Sequence, residues 1–277
     1  MTEVRAGPTP LYSLRGALPG PVWRLYRALR TVLVASAFAG FWVGAVLLAW
    51  LVLPATAAMA RGEAARRRGC QGVVAASFRL FHGYMRALRL VDARRVGSLP
   101  TSLGGRPAVL VANHTTLVDV TAILSSLPAG VCVLAKDLYL SNRFVGRLLR
   151  LCGFISAGST LAERGAAVDE AVQRLGSGFH VLVFPEGTRS PEGHLHRFQR
   201  GAFEIACRAG APVVPLVLRC DPSALRRGQR FWNQPDECAR LTIEVGAAID
   251  PAECGRNSRQ MRRLVEERYR SWLGIGA

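Results

Sequence analysis

Residues 107–119 read PAVLVANHTTLVD, and this stretch decides how the chain folds. PAVLVA (107–112) is an apolar run too short for a helix, closed by a polar cluster, as in a strand buried on both faces. Apolar positions then resume at helical spacing over 116–127. The same alternation recurs downstream. VCVLA (131–135), GFISA (153–157), HVLVF (180–184), PVVPLVL (212–218) and LTIEV (241–245) are candidate strands. Helical patterns lie at 141–151, 160–175 and 199–209, with a charged helix at 257–272. Alternation of this kind predicts an α/β fold, a mostly parallel or mixed sheet flanked by helices, with its site where strands end and helices begin.

Asn113-His114-Thr115-Thr116-Leu117-Val118-Asp119 is an H-x-x-x-x-D arrangement at such a junction. Residues five apart in one helix point about 140° apart. His114 and Asp119 can therefore meet only if His114 stands in the turn and Asp119 in the first helical turn. The carboxylate would then hold one imidazole nitrogen and leave the other free to take a proton from an attacking hydroxyl. This is the logic of a Ser-His-Asp triad with the substrate's hydroxyl in place of the serine. Thr116-x-x-Asp119 is equally the spacing of a capping box, and a histidine at a strand end can simply hydrogen-bond its loop. A second junction, FPEGTRS (184–190), offers the Glu186 carboxylate, the amides of a tight turn at Gly187 and Thr188, and the Arg189 guanidinium, which can grip a phosphate with two hydrogen bonds. Taken alone, it is also compatible with a plain connection carrying a surface ion pair.

Ahead of these junctions, Thr31–Leu53 (TVLVASAFAGFWVGAVLLAWLVL) is uncharged and long enough to cross a bilayer as a helix. Its length and position read as membrane-inserted rather than as a cleaved signal peptide. Arginines flank both ends (Arg24, Arg27 and Arg30; Arg61 and Arg66 to Arg68), so the positive-inside rule assigns no orientation. A single span and a segment that dips in and returns, bending at Pro54 or at Gly40/Gly44, both fit. Over 73–90, Phe78, Phe81, Met85 and Leu88 recur at helical spacing among Arg79, Arg86 and Arg89, as in an interfacial amphipathic helix or one packed on the core. The organisation expected is a basic segment over 1–30, membrane-associating helices over 31–92 and a catalytic domain over 93–277.

Net charge is +17, with 36 basic residues against 19 acidic. Residues 1–100 hold 14 arginines and three acids, so the excess concentrates around the apolar segment, as lipid headgroups rather than nucleic acid would require. No interleaved aromatics suited to base stacking accompany it. Seven scattered cysteines without a C-x-x-C pair argue against a disulfide framework or a zinc site and for a reducing compartment. His194 and His196 near Glu192 read as solvated loop residues, and no metal or resident cofactor is expected. Gly153-x-x-Ser156-x-Gly158 is one residue too long for a nucleophile elbow, and no phosphate-binding P-loop occurs.

Together, N-H-x-x-x-x-D and F-P-E-G-T-R-S resemble the paired signatures of the glycerolipid acyltransferase family, the 1-acylglycerol-3-phosphate acyltransferases and their relatives. The likeness continues through Phe198–Phe203 (FQRGAF) and Val214-Pro215-Leu216-Val217, and covers roughly residues 80–250. It implies that His114 deprotonates the acceptor hydroxyl for attack on the thioester of acyl-CoA or an acyl-carrier protein, with Asp119 orienting the base. It further implies that Glu186, Gly187, Thr188 and Arg189 hold the acceptor's phosphate or glycerol end, and that Asn113, Lys136 and Pro215 line the pocket. Membrane lipids would be partners, on the cytoplasmic face of the inner membrane. The chain departs from the family at Ser156–Ser159, where phospholipid-making members usually carry an arginine. That leaves room for another acceptor, such as a lyso-ornithine lipid or a specialised glycolipid, or for a non-catalytic lipid binder.

Overall fold

The computed structural model describes residues 19–99, 104–229 and 234–275. Most of the basic segment 1–30 thus lies outside the described residues. The described chain begins with a helical hairpin. α1 (Gly20–Leu47) passes through a π-helical turn (Leu48–Val52) into α2 (Leu53–Met59), so that one helix runs without reversal from Gly20 to Met59. Proline lacks an N–H and crowds the carbonyl four residues before it, and the π-helical turn ends two residues before Pro54. Neither Gly40 nor Gly44 interrupts the helix. The chain reverses only at Ala60–Gly62, where Gly62 takes a left-handed φ of 86°, and returns as α3 (Glu63–Ala87).

α3 lies along α1. Phe41 stacks on Phe78 at 6.3 Å and contacts Phe81 at 5.2 Å, while Phe38 meets Phe81 edge-on. The apolar stripe over 73–90 is therefore spent on α1 and on the domain, where Met85 is fully buried. Buried Gln71 reinforces the junction: its amide nitrogen donates to Cys152 O and its oxygen accepts from Gly130 N.

The strands form one seven-stranded mixed sheet. β1 (Val91–Val96), β2 (Val109–Ala112), β3 (Val131–Ala135), β4 (Ile155–Ser156), β5 (His180–Val183), β6 (Val213–Asp221) and β7 (Ala239–Val245) take the order β1-β7-β6-β2-β5-β3-β4. Only the β6–β7 pairing is antiparallel. The α/β expectation holds, and all six predicted strands form. β1 was missed because its sequence, VDARRV, carries three charged residues; it is an edge strand whose second half is exposed. Helices α4 (Asp119–Ser126), α5 (Asp137–Leu140), α6 (Gly146–Leu151), α7 (Leu161–Gly176), α8 (Gly201–Ala209) and α9 (Ser258–Leu273) complete the fold.

Alternation along the strands divides the core. Leu110, Ala112, Leu182, Val214 and Leu216 face α1, α3 and α4, while Val109, Val111, Val181, Val183 and Val213 face α7, α8 and α9. The central strand β2 is buried at all four positions, which is why the run PAVLVA shows no alternation in polarity.

Arg30 fastens α1 to the domain. It is buried, and its guanidinium donates to the carbonyls of Pro235, Glu237 and Arg89. Neighbouring Arg27 pairs with Asp236, and Tyr26 donates to the Asp236 carbonyl. We expect Arg30→Met to leave three carbonyls short of a donor and to lower unfolding free energy by about 2–4 kcal/mol. Thermal unfolding in detergent measures this, and an unchanged midpoint would show that the clasp contributes nothing.

Candidate active site

β2 ends beside two side chains that take over its pairing with β6. Pro215, opposite Val111, can give the ladder no N–H. One residue later the buried Tyr269 hydroxyl, reaching in from α9, donates to Val111 O at 2.7 Å and accepts from Leu216 N at 3.1 Å. Asn113 then replaces backbone with side chain: Oδ1 accepts from Leu218 N at 2.7 Å and Nδ2 donates to Leu218 O at 2.9 Å. Both groups let β2 leave the sheet without orphaned amides, and so aim the next residue, His114, across the sheet end.

His114 stands in the turn and Asp119 is the first residue of α4, the arrangement that the five-residue spacing requires. Asp119 is completely buried, and its Oδ2 lies 2.7 Å from His114 Nδ1. The same carboxylate accepts from the backbone N–H groups of Thr115 and Thr116 at 2.6 and 2.8 Å, and from the Thr116 hydroxyl at 2.6 Å. An ionised carboxylate so surrounded can only accept, which fixes the proton on Nδ1 and leaves a lone pair on Nε2. No hydrogen bond ties Nε2 among the described residues; the side chain is 20% exposed and packs 4.6 Å from the Phe184 ring. The capping box does not form as such: α4 has no side-chain cap, and Thr116 serves Asp119 and Val118 N instead.

The second junction folds against the first. Glu186 is buried; its Oε1 accepts from His114 N at 2.7 Å, and its Oε2 accepts from the Ser190 hydroxyl and from His196 N. Ser190 N returns a bond to His114 O at 2.8 Å. The Glu186 carboxylate is thus turned into the protein, where it holds the backbone of His114, rather than outward into an ion pair with Arg189. Gly187 takes φ 68°, and a Cβ there would approach Gln199 Nε2 to 2.5 Å, so this turn requires glycine. Thr188 and Arg189 are partly exposed. Arg189 donates to Leu225 O at 3.1 Å.

Of the remaining residues singled out in the sequence, Lys136 lies at the end of β3, exposed and on the same sheet edge, without contact to the dyad among the interactions described. Pro215 is buried within β6, where it packs against Gly246 and acts on the site through the sheet. His194 and Glu192 lie in a surface loop, Glu192 paired with Arg226. The segment 222–229 escaped sequence reading. It carries no motif, yet the Leu225 carbonyl accepts from both Leu117 N (3.0 Å) and Arg189, and so joins the two junctions. Leu225 pays a steric cost for this with a left-handed φ of 55°.

The end of the parallel strands thus presents an imidazole oriented by a buried carboxylate beside an arginine-bearing turn. A family model described as Acyltransferase matches residues 90–219. Human 1-acyl-sn-glycerol-3-phosphate acyltransferase beta is 28% identical over 197 residues, 70% of this chain and 66% of that protein. The human alpha enzyme is 31% identical over 185 residues, 66% of this chain and 61% of its own. The chain thus spans just under two thirds of the length of these relatives. The crystal structure of the 1-acyl-sn-glycerophosphate acyltransferase PlsC from Thermotoga maritima shares the fold, with a TM-score of 0.70 at 22% identity, covering 90% of this chain and 96% of that one. Over residues 90–219 the chain is thus similar to acyltransferases, and over about two thirds of its length to the 1-acyl-sn-glycerol-3-phosphate acyltransferases.

Burial pushes the Glu186 carboxyl above its ordinary value of 4.5, against the opposing pull of its hydrogen bonds from Ser190, His114 and His196. The native state therefore binds this proton more tightly than the unfolded chain does. Its contribution to stability is largest below about 4.5 and declines as pH rises through the raised folded value. Replacing it, Glu186→Gln removes that slope. We expect the stability of the variant relative to the parent to improve as pH rises over the interval above 4.5. Paired unfolding curves across that interval measure it, and a constant difference would exclude a buried ionising group.

Proposed function

We propose that this protein is a membrane-bound O-acyltransferase that moves an acyl chain from acyl-CoA or an acyl-carrier protein to the free hydroxyl of 1-acylglycerol-3-phosphate. The observation that carries the reading is the His114–Asp119 pair, with its proton fixed on Nδ1 and Nε2 open beside the Glu186–Arg189 turn. Nε2 takes the hydroxyl proton as the oxygen attacks the thioester carbonyl. An oxygen–carbon bond forms, the carbon–sulfur bond breaks, and the leaving thiolate recovers the proton from the imidazolium. Asp119 stabilises that imidazolium without leaving its hydrogen-bonded seat. Thr188 and Arg189 face the acceptor, Arg189 meeting its phosphate, while Glu186 and Gly187 shape the turn that presents them. Asn113 and Pro215 serve by steering β2 away from β6. Lys136, on the same sheet edge, borders the acceptor's approach.

The hairpin supports membrane attachment. Trp42, Val43, Leu47, Trp50 and Leu51 are exposed on a helix long and apolar enough to cross a bilayer, only 22% of whose apolar window is buried. All seven cysteines are free, in keeping with the cytoplasmic face. A second reading, a different lipid acceptor such as a lyso-ornithine lipid or a glycolipid, is favoured by Ser156, which binds the Asp137 carboxylate where relatives would place a cation.

The test is acyl transfer by membranes containing the protein, offered a panel of lysolipids with labelled acyl-CoA or acyl-carrier protein. We expect 1-acylglycerol-3-phosphate to be converted, and His114→Ala to lower turnover by roughly 10²–10⁴-fold while membrane binding persists. Retained turnover in that variant would remove the base. Arg189→Ala should penalise phosphate-bearing acceptors more than neutral ones; equal losses would end its headgroup role.

A further inference from the structure

Arg227 lies in the 222–229 segment, is exposed, and donates from Nη1 to the Thr188 hydroxyl at 2.9 Å. This bond crosses the one from Arg189 to Leu225 O, so the two loops exchange arginines and bring both guanidinium groups to one seam. A guanidinium has five N–H donors. Each arginine spends one on a neutral oxygen, and neither meets a carboxylate among the described residues.

The acids nearby are committed elsewhere. Glu186 is turned inward onto His114, Ser190 and His196. Glu192 is taken by Arg226 and by the Ser223 hydroxyl. Two like charges are therefore held at one seam with no carboxylate paired to either among the described residues, by a loop whose own backbone is strained at Leu225. Fold stability does not require that arrangement: a single surface hydrogen bond to a threonine contributes only about 0.5–1.5 kcal/mol. A phosphate monoester, with a charge near −2 and three acceptor oxygens, complements it in both charge and donor count.

We propose that Arg227 is a specificity-determining residue that binds the acceptor's phosphate together with Arg189. The proposal rests on the acyl-transfer reading above and deepens it. Thr188 positions Arg227, and the 222–229 segment is part of the acceptor site.

The probes are 1-oleoylglycerol-3-phosphate and 1-oleoylglycerol, with Arg227→Ala, Arg227→Lys and Thr188→Val in the full chain. The ratio of kcat/KM for the phosphate acceptor to that for the neutral one falls about tenfold in Arg227→Ala, through KM rather than kcat, the size expected for one lost charge-assisted hydrogen bond. Arg227→Lys recovers part of the ratio, and Thr188→Val loses part of it. In a His114→Ala background, where turnover is slowed enough to measure binding by itself, Arg227→Ala weakens binding of 1-oleoylglycerol-3-phosphate by a similar factor. An unchanged ratio and unchanged binding overturn the role of Arg227 while leaving acyl transfer intact. A parent protein that binds 1-oleoylglycerol-3-phosphate but acylates neither probe overturns the acyl-transfer reading and leaves Arg227 to be judged by binding alone.

Discussion

The site hangs on one buried anion. Asp119 has no solvent contact, and a carboxylate in that position is tolerable only because donors converge on it: two backbone amides, the threonine hydroxyls and the imidazole N–H. It also sits at the first turn of α4, where the helix dipole favours negative charge. These contacts wind residues 114–119 into a single conformation. The imidazole tautomer, the direction of the ring and the start of α4 are then consequences of one group's need for hydrogen bonds. Glu186 repeats the device from the next strand, holding the same turn through His114 N.

The strand order explains why these two carboxylates meet. β2 and β5 are neighbours in the sheet although separated by two strands in the chain, so the junctions that follow them close on each other. The strand order switches at β2, with β3 to β5 on one flank and β6 and β7 on the other, all of its pairings remaining parallel, and ligands of such sheets bind at a switch point of this kind. On the β6 side the Tyr269 hydroxyl bridges Val111 O and Leu216 N, and the Asn113 amide pairs with Leu218, where the backbone ladder between β2 and β6 ends.

Much of this was legible in the sequence. The buried strands announce themselves as short apolar runs, and the spacing of His114 and Asp119 demanded the turn-then-helix geometry that forms. Other features have no local signal. β1 pairs through its backbone and needs little apolar surface at a sheet edge, so VDARRV does not read as a strand. Tyr269 is recognisably an inward-facing helix residue, yet nothing nearby in the chain says that its hydroxyl bridges strands more than 50 and 150 residues away. The inward turn of Glu186 is similarly hidden, since its partners come from three separate segments. Leu225 is the extreme case, an ordinary apolar residue in an unremarkable stretch whose role lies in its carbonyl.

That carbonyl has a consequence for redesign. Because Leu225 O accepts from Leu117 on one loop and Arg189 on the other, the two signature loops are not interchangeable cassettes. A Pro-Glu-Gly turn grafted from a relative would arrive without the strained residue that ties it to the loop carrying His114. Transplanting this site between such proteins therefore calls for moving three segments together, the third of which no motif search would select.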